Sequence, residues 1–167
     1  MRKFKTKSKL TQVQKGKTSI EAVLCFIVSR QRTIYEVNSY LIKEGYNSLE
    51  AEQAISRFIE LKYLDDYAYA QEFVRTRLNT KPLSRAKLFE QLNYHGIPRD
   101  IAEETLNSIS DDEELTTALL TAQKYLPKLK KRKPEVRRQY LLRHLLSKGY
   151  TYETANLTIE RINETEG

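Results

Sequence analysis

The chain has 167 residues, with 29 Lys+Arg against 22 Asp+Glu, a net charge of +7, 40% hydrophobic residues, one cysteine and no tryptophan. This is about one domain's length with apolar surface enough to fold, and a lone Cys25 excludes an internal disulfide and a cysteine-rich zinc site. The five glycines, at 16, 45, 96, 149 and 167, lie too far apart for a dinucleotide fingerprint, a P-loop or a nucleophile elbow.

Residues 1–17 hold Arg2, Lys3, Lys5, Lys7, Lys9, Lys15 and Lys17 with no acid, which predicts a flexible basic arm of local charge +7. A helix is expected over Ser19–Ser29. Its apolar run Ala22–Val28 is too short to span a bilayer and precedes no small-residue cleavage site. Cys25 within it is expected to be a buried, inert thiol. Together these features predict a soluble protein of the reducing cytoplasm. Thr33–Gly45 (TIYEVNSYLIKEG) reads as a second helix, opened by Thr33-x-x-Glu36 and stopped by its glycine. Asn47-x-x-Glu50 resembles a capping box that opens the next helix, toward Leu61. Then follow helical stretches at Asp66–Leu78, Ser84–Gly96, a segment opened by Pro98, Asp111–Leu126, Arg137–Gly149 and Thr151–Asn163.

Three of the glycines punctuate a repeat. Aligned on Gly45, Gly96 and Gly149, apolar residues coincide eight before (Val37, Leu88, Leu141), four before (Leu41, Leu92, Leu145) and one after (Tyr46, Ile97, Tyr150). They coincide again at Ala51, Ala102 and Ala155, at Ile55, Leu106 and Ile159, and at Phe58, Ile109 and Ile162. The glycines are 51 and 53 residues apart. Each unit is a helix, a left-handed glycine stop and a second helix, preceded by a third. The expected fold is all-α: an elongated, curved array of three tandem three-helix repeats, about nine helices in all. Expected bounds are 1–17 for the arm, 18–62, 63–110 and 111–163 for the repeats, and 164–167 for a tail.

The charge is concentrated. Residues 124–143 carry nine cations against Glu135, a local +8, so the two basic blocks leave the remainder at −8. Clustered Lys and Arg running into a helix point to phosphate contact with an anionic partner. The acids Asp65, Asp66, Asp111, Asp112, Glu113 and Glu114 fall at helix starts, where they complement the dipole. His95 precedes a helix-ending glycine and is expected to help satisfy terminal carbonyls, whereas His144 is expected at the surface. The two form no HExxH. Tyr46, Tyr63 and Tyr150 are expected in the core, and Tyr67, Tyr69, Tyr140 and Tyr152 are candidates for stacking on bases. No catalytic residue, cofactor or metal is expected.

The string Ser29-Arg30-Gln31-Arg32-Thr33-x-x-Glu36-Val37-x-x-x-Leu41-x-x-x-Gly45 resembles the opening of RecX regulatory proteins. Tyr63-Leu64-Asp65-Asp66-x-x-Tyr69-Ala70, Val74-Arg75-x-Arg77 and Ser84-Arg85-x-x-Leu88-x-x-x-Leu92-x-x-x-Gly96-Ile97 continue the likeness, which covers residues 20–162. Two turns depart from the family pattern: Lys62 stands at a usual glycine, and Lys81-Pro82-Leu83 replaces a glycine before Arg85. The resemblance implies a cytoplasmic, non-enzymatic modulator that docks in the groove of the RecA–DNA filament and restrains ATPase and strand exchange; a monomer is expected. On that expectation Lys130, Lys131, Arg132, Lys133, Arg137, Arg138 and Arg143 approach DNA or an acidic filament surface, and Arg75, Arg77 and Arg85 form a second cluster.

Two alternatives remain at this point. One is an autonomous, non-sequence-specific DNA-binding helical repeat protein, which the absence of Trp separates from Myb-like repeats. The other is a helical adaptor for protein alone, although its period excludes tetratricopeptide and ankyrin repeats.

Overall fold

The structure, a computed structural model, describes residues 16–166, so the basic arm expected over 1–17 lies almost wholly outside the described residues. Nine α-helices and one short 3-10 helix are present among the described residues, with no strand. The α-helices are α1 (Ser19–Ile27), α2 (Ile34–Glu44), α3 (Ser48–Glu60), α4 (Asp66–Thr80), α5 (Arg85–Tyr94), α6 (Arg99–Asn107), α7 (Asp111–Tyr125), α8 (Pro134–Ser147) and α9 (Tyr152–Glu166). The 3-10 helix, Leu126–Leu129, links α7 to α8. The chain divides after Asp65 into two compact units.

The first unit holds α1–α3 around Val23, Val37, Leu41, Ala51, Ile55, Phe58 and Leu64. Capping boxes start α1 at Thr18 with Glu21 and α3 at Asn47 with Glu50. Thr33 caps α2 by accepting from the Glu36 N–H. Gly45 ends α2 at φ 95°, in the left-handed region the sequence predicts. The buried face of α1 is Ala22 and Val23, continued by partly buried Phe26 and Ile27. Cys25 therefore lies on the opposite side of α1 and is exposed, contrary to expectation, with the Lys17 ammonium 3.7 Å from its sulfur.

Lys62 is the one non-glycine residue with positive φ, 61°, among the described residues. Its left-handed turn lets the Tyr63 and Leu64 N–H groups both donate to the Phe58 carbonyl, at 2.9 and 3.1 Å. That turn delivers Leu64, 1% exposed, into the core. Tyr63 instead lies edge-on to Phe58 and is 65% exposed, which corrects its assignment to the core.

The second unit contains two cores. In the first, α4 and α5 pack on α6 through Tyr69, Ala70, Val74, Leu88, Leu92, Ile97, Ala102, Leu106 and Ile109. The other joins α7, α8 and α9 through Ala118, Ala122, Leu129, Leu141, Leu145, Tyr150, Ala155, Ile159 and Ile162. The aligned leucines eight and four residues before Gly96 and Gly149 are 0–2% exposed, so each contributes about 2–3 kcal/mol by burial. All six aligned apolar positions recur in the three cores, with only Tyr46 less than fully buried. The fold is thus an all-α array of three-helix repeats.

Tyr69 is 9% exposed within the core, so the candidate base-stacking ring at this position is a packing residue. It forms an aromatic group with Phe73 and His95, whose imidazole also meets Tyr94 edge-on. The backbone N–H of His95 donates to the Gln91 carbonyl. Among the described residues no helix is long and apolar enough to cross a membrane, and no group of side chains is arranged to hold a metal.

Candidate nucleic-acid interface

The basic segment is held in place by apolar anchors. Leu129, 2% exposed, pins the 3-10 helix to the third core, and the Arg132 N–H closes the next turn on the Leu129 carbonyl at 3.0 Å. Pro134 occupies the first turn of α8, where its missing N–H costs nothing. Leu141 and Leu145 turn one face of α8 inward. Lys130, Lys131, Arg132, Lys133, Arg138 and Arg143 are left exposed, while Arg137 is half-buried.

The aromatic and polar neighbours order part of this surface. The Arg132 guanidinium lies 4.2 Å over the Tyr140 ring, and Tyr140 and Arg143, three residues apart, share a face of α8. Arg138 donates to the Asn156 amide oxygen of α9 at 3.0 Å. Among the described residues, no carboxylate pairs with Lys130, Lys131, Arg132, Lys133, Arg138 or Arg143. A phosphate approaching this face therefore meets cations whose charge is not already neutralised.

Arg75, Arg77 and Arg85 have separate local partners. Arg75 pairs with Glu72 one turn earlier, and Arg77 lies 4.9 Å over Phe73. Arg85 binds the junction between the two cores of the second unit: its guanidinium donates to the Ile109 carbonyl at 2.7 Å and to Asp111 at 2.8 Å. Its backbone N–H donates to both oxygens of Glu114 at 3.2 Å. Burial pushes the Glu114 carboxyl above the usual range, against the pull of the Arg85 N–H and charge. Tyr67 donates to Glu104 at 3.3 Å, and Tyr152 is 64% exposed at the start of α9.

His144 is not a free surface residue. Its ring is half-buried and stacked on Tyr125 at 3.8 Å, with the planes 7° apart. Burial, then the charges of Lys148 and Lys128, hold its imidazole below the ordinary histidine range. A pair 19 residues apart on two helices leaves no periodic signal in sequence, so this stack was not legible there.

Comparison with known proteins places these elements. Family models for the second and third three-helix domains of RecX match residues 65–106 and 111–158, together more than half of the chain. A RecX regulatory protein of Prosthecochloris aestuarii is 28% identical over 86% of this chain and 93% of its own length. One from Clostridium botulinum is 33% identical over 80% of this chain and 63% of its own length, and one from Lactobacillus johnsonii is matched over 57% of its length. The chain thus spans about three-fifths of these two longer relatives. RecX from Lactobacillus salivarius has the same fold, with a TM-score of 0.82 at 23% identity over 87% of this chain and 94% of that one. With its repeats, their cores and two domain matches in agreement, the chain belongs to the RecX family of regulatory proteins.

Proposed function

We propose that this protein binds in the groove of the RecA–DNA filament and restrains the recombinase's ATPase and strand exchange. It does so as a binding protein in the cytoplasm, without a catalytic step. The observation that carries this reading is the surface Lys130–Lys133 with Arg138 and Arg143, cationic, exposed and without carboxylate partners among the described residues, on a chain of the RecX family. Such a surface supplies phosphate contact without base readout. Arg132 over Tyr140 fixes one guanidinium in orientation, and the helical repeats offer further surface to protein.

Restraint follows from differential affinity. A ligand that binds one filament geometry more tightly than another shifts the filament toward the geometry it prefers, by no more than that difference. The test is to add the full chain to a RecA filament on single-stranded DNA and follow ATP hydrolysis. Slowing supports the reading, whereas no change at excess protein contradicts it. Tight binding to naked DNA with no effect on the filament favours the autonomous DNA-binding alternative instead.

A further inference from the structure

A second cationic site lies within the second unit, apart from the face just described. The α4–α5 connection, α7, the 3-10 helix and the C-terminal end of α8 enclose a cleft of about 270 Å³. Lys81, Lys124, Lys128 and Lys148 surround it, and none of its lining residues is acidic. Its remaining surface is mainly apolar, formed by Pro82, Leu83, Tyr125 and Tyr150 with the hydroxyl residues Ser84 and Thr121, and His144 is stacked on Tyr125. The volume lies just below the usual range of ligand sites, which suits one small molecule and not a duplex. Four cations around an apolar, ring-lined floor match a planar ring carrying a phosphate.

We propose that this cleft binds one nucleotide, with its base on the Tyr125–Leu83 floor and its phosphate among Lys124, Lys128 and Lys148. The nucleotide is either free or a single unpaired residue of a DNA strand. The site uses none of the arginines of the α8 face, and its test contains no recombinase, so it stands or falls apart from the filament reading.

His144 reports occupancy. Tyr125 stacks on it and the charges of Lys148 and Lys128 reach it, while Lys124, Tyr150 and, from the α4–α5 connection, Lys81 line the same cleft. Burial is the larger cause of the depressed imidazole and the Lys148 and Lys128 charges the next; an anion among these lysines offsets the charge part and so acts to raise its midpoint. The experiment is an NMR titration of the full chain with deoxyadenosine 5′-monophosphate, deoxyadenosine, inorganic phosphate and a deoxyadenosine octanucleotide. The monophosphate is expected to move the His144 ring signals and the Thr121 and Tyr125 amides, raise the His144 midpoint, and bind more tightly than nucleoside or phosphate alone. The exposed double variant K124E/K148E is expected to weaken it by about tenfold or more.

Tighter binding of the octanucleotide than of the monophosphate, read at the His144 ring and weakened in K124E/K148E, identifies a strand as the source, and equal binding at that ring identifies the free nucleotide. The proposal is overturned by an unperturbed His144 with both nucleotide probes, by phosphate binding as tightly as the nucleotide, or by undiminished binding in a folded K124E/K148E protein. If that variant does not fold, the wild-type ranking of nucleotide, nucleoside and phosphate decides alone.

Discussion

Ser84 Oγ donates a 2.7 Å hydrogen bond to the carbonyl of Lys148, 64 residues along the chain. The same oxygen caps α5 by accepting from the Lys87 N–H at 3.2 Å. Ser84 is fully buried, and the next residue after Lys148 is Gly149, at φ +85°. A Cβ on Gly149 would stand 2.7 Å from Ser84 Oγ. One hydroxyl therefore ties the start of a helix in one core to the helix stop of the next.

This contact predicts coupling. S84A should lower stability by about 1–2 kcal/mol, through loss of the cap and the carbonyl's donor. G149A should cost about 2 kcal/mol or more, from left-handed strain plus the clash. In the S84A background G149A should cost about 0.5–1 kcal/mol less, because the clashing oxygen is gone. Urea denaturation of the four proteins measures the cycle, and strict additivity would show that the two residues do not meet as described.

The Lys62 turn predicts a gain. A lysine at φ 61° pays left-handed strain that glycine avoids, offset in part by glycine's greater freedom when unfolded. K62G should stabilise the protein by about 0.5–1 kcal/mol in the same assay. A loss of stability would mean that the lysine side chain makes compensating contacts.

Carboxylates predict opposing pH effects. Glu113 is held below 4.5 first by the Ser110 backbone N–H and then by its hydroxyl, and Glu21 likewise by Thr18. Their stabilisation is present above the unfolded value of 4.5 and is lost as pH falls through the lower folded value. Glu114 is raised, so its contribution has the opposite sign: full below 4.5 and lost as pH rises through its higher folded value. E113Q should therefore reduce the loss of stability on acidification, while E114Q should reduce the loss on raising pH above 4.5. Denaturation midpoints followed across the acid range check both signs.

Cys25 gives a chemical check. Being exposed, it should react with an aromatic disulfide reagent in native buffer as fast as in denaturant, to within about an order of magnitude. Reaction only after unfolding would restore the buried thiol expected from the apolar run.

The repeat was legible because it is periodic: Val37, Leu88 and Leu141 share one offset from a glycine, and burial follows that offset. Helix starts were legible for the same local reason, since Asn47 and Glu50 cap within one turn. What failed depended on orientation or distance. Cys25 and Val23 belong to one apolar run, but helical rotation buries only Val23. Tyr63 is expected in the core, but the left-handed Lys62 turn gives the buried position to Leu64. Arg85 reads in sequence as one of a cationic cluster, whereas its guanidinium is bonded to the Ile109 carbonyl and to Asp111, 24 and 26 residues later. Local charge counting groups Lys124 and Lys128 in one basic block, but Lys81 and Lys148 join them only through the fold.

The α8 face carries the central claim, and a charge-reversed variant tests it most directly. ATP hydrolysis by a RecA–single-stranded-DNA filament should be slowed by the wild-type chain and about tenfold less effectively by K131E/R132E/R143E, with helicity unchanged. Equal slowing by the folded variant, or no slowing by the wild-type chain at excess, would contradict the account.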